Sequence, residues 1–444
     1  MVDIKPLKGL KYNIDKIGNI SEVLAPPYDI ISAVQNDELK KSSIFNFSYL
    51  TLPLHNDQKN KYENANDIFL SWIDKGVLVF DDSECFYLIE EMFMENNIIK
   101  SFFGMVGLLK VEEYGEGKVL RHEKTLPKPK EDRLNLLSAC RTNFEFIYTL
   151  YDDIDKKVFN ILKKYTEDKP LVETGVQYDH SLKFKLWRIN IDSDIKNIKD
   201  TMKPKSILIA DGHHRYETSR LYNEITDGSA YDKNISSKPE GYILSFFVSG
   251  NQENILIHPT HRLINFENNI SSEDFLRKIK KYFTIDLIEE PSAEIIENKI
   301  KTSSGSNQKR LAVYFNDKKC FLLILNDSLE NIYEDIGIII NPFDRDFEYL
   351  DVNILHKLIL DHLLSDLKIK EIKYVHTVNE AVTDINSHDL LGNVSETYNA
   401  CFILNAPSIE TVEKLSFSGQ IMPQKSTYFY PKPCSGLVVY KMDQ

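Results

Sequence analysis

The stretch SILIADGHHRYETSRLYNE (206–224) constrains this chain more than any other. Its apolar run ending at Asp211 reads as a buried strand, Gly212 permits a tight turn, and the residues beyond have helical spacing. A strand feeding a helix through one glycine presents the N–H groups and positive dipole end of that helix at a sheet edge, an arrangement that suits a phosphate. His213, His214 and Arg215 fall in the first helical turn, so donors gather where an anion would sit, and Arg215 could grip it bidentately. The alternative is that Asp211 only N-caps the helix and the histidines are polar surface residues. Two adjacent histidines and an arginine at one helix start favour a site.

At 444 residues the chain exceeds what one core usually organises, so two domains are expected, 1–265 and 266–444. In the first, residues 1–50 read as short strands and turns around APPYDI (25–30). A helix over 62–76 stops at Gly76, and two strands (84–94 and 100–114) follow across a charged turn. After RHEKTLPKPKEDR, an extended Lys/Pro loop gives way to a helix starting near Glu131. A helix around 154–165 and a strand over 183–191 come next, and GYILSFFVSG (241–250) and NILIHPTHRLI (254–264) read as a β pair. From 266 onward helices (271–283, 351–364) alternate with strands (311–315, 319–325, 372–375, 400–406), the pattern of a second α/β domain. GSNQ (305–308) reads as a turn.

The formal net charge of −13 leaves no global field to draw the chain to nucleic acid or an anionic membrane, so any anion site must be a local cationic pocket. Five scattered cysteines, none spaced as CxxC, imply neither a disulfide framework nor a zinc knuckle. The start MVDIKPLKGLKYN lacks the apolar run of a signal peptide, and no segment has the roughly 18 uninterrupted apolar residues of a membrane span. The expectation is a soluble, cytoplasmic protein with a small-molecule partner. Length and composition do not address its oligomeric state.

Three further blocks carry candidate chemistry. In RHEKTLPKPKEDR (121–133), His122 and Glu123 stand at a strand end before Lys124, Lys128 and Lys130. Glu123 could be a general base for a hydroxyl, with the lysines and Arg133 neutralising a polyphosphate; alternatively the loop is merely solvated. IHPTHRLI (257–264) offers His258, His261 and Arg262. On a strand His261 and Arg262 face opposite ways, so only one lines a given pocket, and a surface β-edge is the other reading. In GQIMPQKSTYFYPKPCSGLVV (419–439), prolines hold Lys425, Ser426 and Lys432 in an extended segment that could clamp a substrate or simply pack on the second domain. Asp29 in APPYDI is a further substrate-binding candidate. No P-loop, GxGxxG after a strand, GxSxG or HExxH is present.

With these blocks in order, the chain resembles domain-of-unknown-function family 1015, through APPYDI, RHEKT followed by DR, ADGHHRYET, HPTHRLI and MPQKSTYFYPKP with SGLVV. The strand–DGHHR–helix unit is also similar to the phosphate-binding turn of the ParB/sulfiredoxin superfamily, which includes partition proteins, sulfiredoxins and free-serine kinases. That resemblance implies an α+β fold with a mixed-sheet N-terminal domain. It makes Gly212, His213, His214 and Arg215 phosphate ligands, and puts forward Glu123 or Asp211 as the base. No cysteine stands in the turn, which removes sulfiredoxin chemistry, and the basic helices of a partition protein are missing. The resemblance therefore implies a phosphotransferase using ATP or ADP with Mg²⁺ on a small hydroxylated metabolite such as L-serine, and a link to serine metabolism. A non-catalytic nucleotide-binding regulator and a hydrolase of a phosphorylated metabolite are the alternatives.

Overall fold

The computed structural model describes residues 1–443 apart from 56–58, 96, 126, 228–237, 269, 302–307 and 387–397. The turn expected at 305–308 lies, but for its last residue, outside the described residues. The chain divides into two compact units. One comprises Met1–Arg121, Thr125–Leu256 and Phe429–Gln444, and the other His122–Lys124 and Ile257–Tyr428.

The first unit is built on a nine-stranded sheet. Its order is Val119–Leu120, Ile207–Asp211, Ile147–Tyr151, Tyr242–Ser249, Ile98–Lys110, Phe86–Glu95, Asp179–Ile189, Val172–Val176, with Ile4–Lys5 also pairing with Ile98–Lys110. Ile207–Asp211 runs parallel to Val119–Leu120, and Tyr242–Ser249 parallel to Ile147–Tyr151, while the other pairs are antiparallel, so the sheet is mixed. The two long central strands turn at Asn97, which adopts φ 62°, a conformation asparagine tolerates better than most residues.

Strand periodicity sorts side chains onto two faces. Phe86, Leu88, Met105, Ile207, Ile209 and Phe247 join Val158 and Leu162 of helix Lys157–Tyr165 and Ile198 and Met202 of helix Asp192–Met202 in one core. The other face is aromatic, with Phe93, Phe102, Tyr148 and Phe246 in mutual ring contact, and Phe429 and Tyr430 pack onto it. Helix Lys61–Asp74 buries Ala65, Phe69 and Trp72; the Asn60 side chain caps it at one end and Gly76, at φ 67°, follows the other.

The structure departs from several of these expectations. Helix Pro127–Cys140 begins four residues before Glu131, because a proline in the first turn lacks only an N–H that the helix does not use. Residues 33–42, expected among turns, form a helix capped by Ser32. The strands at 241–250 and 254–264 do not pair. Tyr242–Ser249 and His261–Phe266 are each buried along their whole length, and each takes two non-local neighbours in a different sheet. The C-terminal residues 429–444, expected in the second domain, belong with the first unit: Ala25 bridges Ser435, Leu10 bridges Val439, and Tyr440 pairs with Asn143.

The second unit holds a six-stranded sheet, ordered Phe283–Leu287, Cys320–Leu325, Arg310–Phe315, Ala400–Ile403, His261–Phe266, Ile369–Val375, with every pair antiparallel. Helices Ala293–Ile300 and Val378–Asn386 supply Ile296, Ile300, Val378, Ala381 and Ile385 to its core. All five cysteines are buried and free. Among the described residues no helix is long and apolar enough to cross a membrane.

The C-terminal segment is structural in the first unit, and Leu437 within it is buried. Leu437→Ala is expected to cost about 2–5 kcal/mol, read as a lower urea midpoint.

Candidate functional site

Strand Ile207–Asp211 is buried up to its last residue, and a register irregularity between Ile209 and Asp211 sets Asp211 opposite Tyr148. Gly212 then adopts φ 93°, and a Cβ there would lie 2.9 Å from Cγ2 of Ile147. Both facts demand glycine. The helix His213–Asp227 starts at once, with the Tyr216 N–H donating to the Gly212 carbonyl at 2.9 Å.

Around this turn lies a ladder of charges. The Asp211 carboxylate accepts from Arg215 Nη2 at 2.5 Å and from Lys432 Nζ at 2.6 Å, and Lys432 reaches Asp29 at 3.1 Å. Arg215 turns its other arm to the Phe146 carbonyl. Burial works against the Arg215 charge, but Asp211, Glu145 and Asp29 outweigh it and raise its pKa. Glu145 accepts from the Tyr28 amide at 2.8 Å and the Ser435 hydroxyl at 3.0 Å, and burial pushes its pKa up. Arg133 stacks over the Tyr28 ring at 4.1 Å and donates to the Thr51 carbonyl at 2.9 Å.

Glu217, on the same helix, gathers part of the RHEKT block. Thr125 donates to it at 2.7 Å, Lys130 lies at 2.9 Å and Arg121 at 3.6 Å. Lys130 thus neutralises a protein carboxylate. The side chain of Lys128 is outside the described residues.

The first unit therefore brings together Asp29, Arg133, Asp211, Gly212, His213, His214, Arg215 and Lys432. His213 is buried and His214 half-buried. The second unit contains His122, Glu123, Lys124, His261, Arg262, Lys425 and Ser426. There, His122 Nε2 lies 2.8 Å from the Thr427 hydroxyl, and Glu123 accepts from the Lys425 amide at 3.1 Å. Ser426 donates to the Pro423 carbonyl at 2.6 Å, and Lys124 is exposed. His261 Nδ1 accepts from the Leu404 amide at 3.3 Å. Burial, with Arg262 and His376 nearby, lowers the His261 pKa to about 3, so this imidazole is neutral.

Sequence reasoning missed Glu145, Tyr28, Glu217 and Glu91. The signal for Glu91 and Glu145 is a charged residue inside an apolar run, FYLIEEMFM and FEF. Glu91 is 1% exposed on the aromatic face, and among the described residues neither carboxylate oxygen has a hydrogen-bond partner. The buried Tyr148 hydroxyl also lacks one, and lies in the field of Glu91 and Asp211. Burial raises the Glu91 pKa well above the usual carboxylate range.

The chain belongs to the family described as protein of unknown function, DUF1015, whose family model matches residues 4–352. No curated protein matches it. Among solved structures it is similar to a free serine kinase in complex with AMP, at 14% identity and a TM-score of 0.32, covering 70% of this chain and 83% of that one. A conserved hypothetical protein from Pyrococcus furiosus matches at 13% identity and a TM-score of 0.33, covering 73% and 93%. SbnI with a C-terminal truncation, from Staphylococcus aureus, matches at 10% identity and a TM-score of 0.34, covering 76% and 89%.

Two outcomes follow from this geometry. In Gly212→Ala, the left-handed backbone and the contact with Ile147 should together cost more than the roughly 1–2 kcal/mol of the conformation alone, lowering the unfolding temperature. A carboxyl whose folded pKa is raised favours the folded state fully below its unfolded pKa, near 4.3, and that contribution is lost as pH rises above it. Glu91→Gln should therefore gain stability relative to the natural protein between pH 4 and pH 8, measured by urea unfolding across that range.

Proposed function

We propose that this protein is a nucleotide-dependent phosphotransferase acting on a small hydroxylated metabolite, with free L-serine the first acceptor to test. The observation that carries the reading is the strand–Gly212–helix turn. Its glycine cannot be replaced without strain or collision, and it delivers a helix N-terminus beside the buried ammonium of Lys432. The first N–H groups of that helix have no acceptor within it, and the dipole adds positive potential where phosphates would lie. Phosphoryl transfer asks mainly for positioning and charge neutralisation, to which main-chain donors and the helix dipole would contribute. Arg215 is engaged with Asp211 and Phe146, so its role in this reading is to hold the turn in shape.

Among the described residues no group of three or more His, Cys, Asp and Glu could hold a metal ion. Mg²⁺ would arrive with the nucleotide and take one or two protein carboxylates, as it commonly does. Asp29 and Asp211 are the pair offered in the first unit. Two carboxylates are put forward as the proton acceptor, Asp211 in the first unit and Glu123 in the second. L-serine is chosen on the resemblance of the DGHHR turn to that of serine kinases. A second reading, a nucleotide-binding regulator without turnover, is favoured by the double ion pairing of Asp211, whose two carboxylate oxygens are taken by Arg215 and Lys432.

Phosphorus NMR with ATP or ADP and Mg²⁺, with and without L-serine, tests the proposal. A serine-dependent phosphomonoester resonance that is lost in Asp211→Asn or, with nucleotide binding kept, in Glu123→Gln is the expected result. Intact but broadened nucleotide resonances would select the regulator. Serine-independent release of inorganic phosphate would select a hydrolase, and sharp, unshifted nucleotide resonances would overturn the nucleotide reading.

A further inference from the structure

Within the second unit a cavity of about 260 Å³ is lined by Thr260, Arg262, Lys309, Asp351, Asn405 and Ser426, among others. Arg262 is 1% exposed, yet among the described residues no carboxylate lies within ion-pair distance of it. Its guanidinium donates to two main-chain carbonyls, those of Thr260 and Lys425, the latter at 2.9 Å. Tyr374 lies beside it, its ring centre at 5.6 Å. Among the described residues the Nε–H has no acceptor, and the buried hydroxyl of Thr260 has no partner either. Burial lowers the Arg262 pKa, but only to about 10, so the group is charged at neutral pH. An unpaired charge taken out of water costs several kcal/mol, and two carbonyl dipoles offset only part of that.

The acidic residues of the cavity do not supply the missing anion. Asp351 is held by both nitrogens of Asn405, at 3.0 and 2.9 Å, and by Lys309 at 3.4 Å. Asp346 is paired with Lys414. Among the described residues no other Glu or Asp is paired with Arg262, so Arg262 and Thr260 line the cavity without an acceptor of opposite charge.

We propose that this cavity is an anion-binding site of the second unit, in which a small carboxylate or phosphate group accepts from the Arg262 Nε–H and the Thr260 hydroxyl. Its volume lies below the roughly 300–1,000 Å³ of pockets for drug-sized ligands, which suits a metabolite of a few carbons. Charge-assisted bonds to a planar guanidinium are the strong kind, and an anion here would turn an uncompensated charge into a compensated one. The inference stands on Arg262 and Thr260 and is independent of the nucleotide reading of the first unit.

The test is titration of the full chain with inorganic phosphate and, separately, with acetate, at ionic strength matched with chloride, read by phosphorus or proton NMR and by thermal unfolding. Saturable binding of at least one anion is expected, and which one binds distinguishes phosphate from carboxylate recognition. Thr260→Val, which keeps the side-chain shape, should weaken it about tenfold or more; Arg262→Gln should remove it if that variant folds. Both effects should persist in an Arg215→Lys background, which separates this site from the turn of the first unit. No saturable binding of either anion, or binding unchanged by Thr260→Val, would overturn the proposal, as would binding lost through Arg215→Lys alone.

Discussion

The first unit depends on one ammonium group. Lys432, whose side chain is 5% exposed, lies between Asp211 and Asp29, so a residue near the C-terminus ties together the glycine turn and the APPYDI segment. An ion pair made to a buried ammonium is far more costly to lose than one on the surface. Arg215 extends the same logic by joining Asp211 to the Phe146 carbonyl, and Glu145 joins Tyr28 to Ser435. Segments 26–29, 145–146, 211–215 and 432–435 are thereby held to one another by polar bonds, beside an aromatic sheet face that could not by itself fix their register.

Against this satisfied network stand two buried groups of the opposite kind. Among the described residues, Glu91 in the first unit has no hydrogen-bond partner and Arg262 in the second has no counter-charge. Their chemistry diverges. A buried carboxyl can take up a proton and become neutral, and burial moves the Glu91 pKa in that direction. A guanidinium keeps its charge at neutral pH even at a pKa lowered to about 10. Glu91 is therefore accommodated by its own titration, whereas Arg262 calls for an anion from outside the chain.

The chain's own order of residues determined the local elements. The apolar run before Asp211, the glycine and the helical spacing beyond it specified the strand, turn and helix, because each depends only on neighbours in sequence. The helix ending before Gly76 and the paired strands on either side of Asn97 were legible for the same reason. Four of the five motif blocks lie within the residues 4–352 that the family model matches. The tertiary structure alone decided which segments meet. Nothing local in GYILSFFVSG and HRLINF says that they lie in different sheets, since a fully buried strand offers two equivalent edges and its partners are chosen by the whole fold. Nor does the run SGLVV announce that it bridges Leu10 and Ala25. The charge ladder was half visible, with Asp211 and Arg215 four residues apart on one turn, while Lys432, Asp29 and Glu145 join it across separations of more than sixty residues. Proximity of that kind is a property of chain closure, and it is what turned a row of separate charged residues into one site.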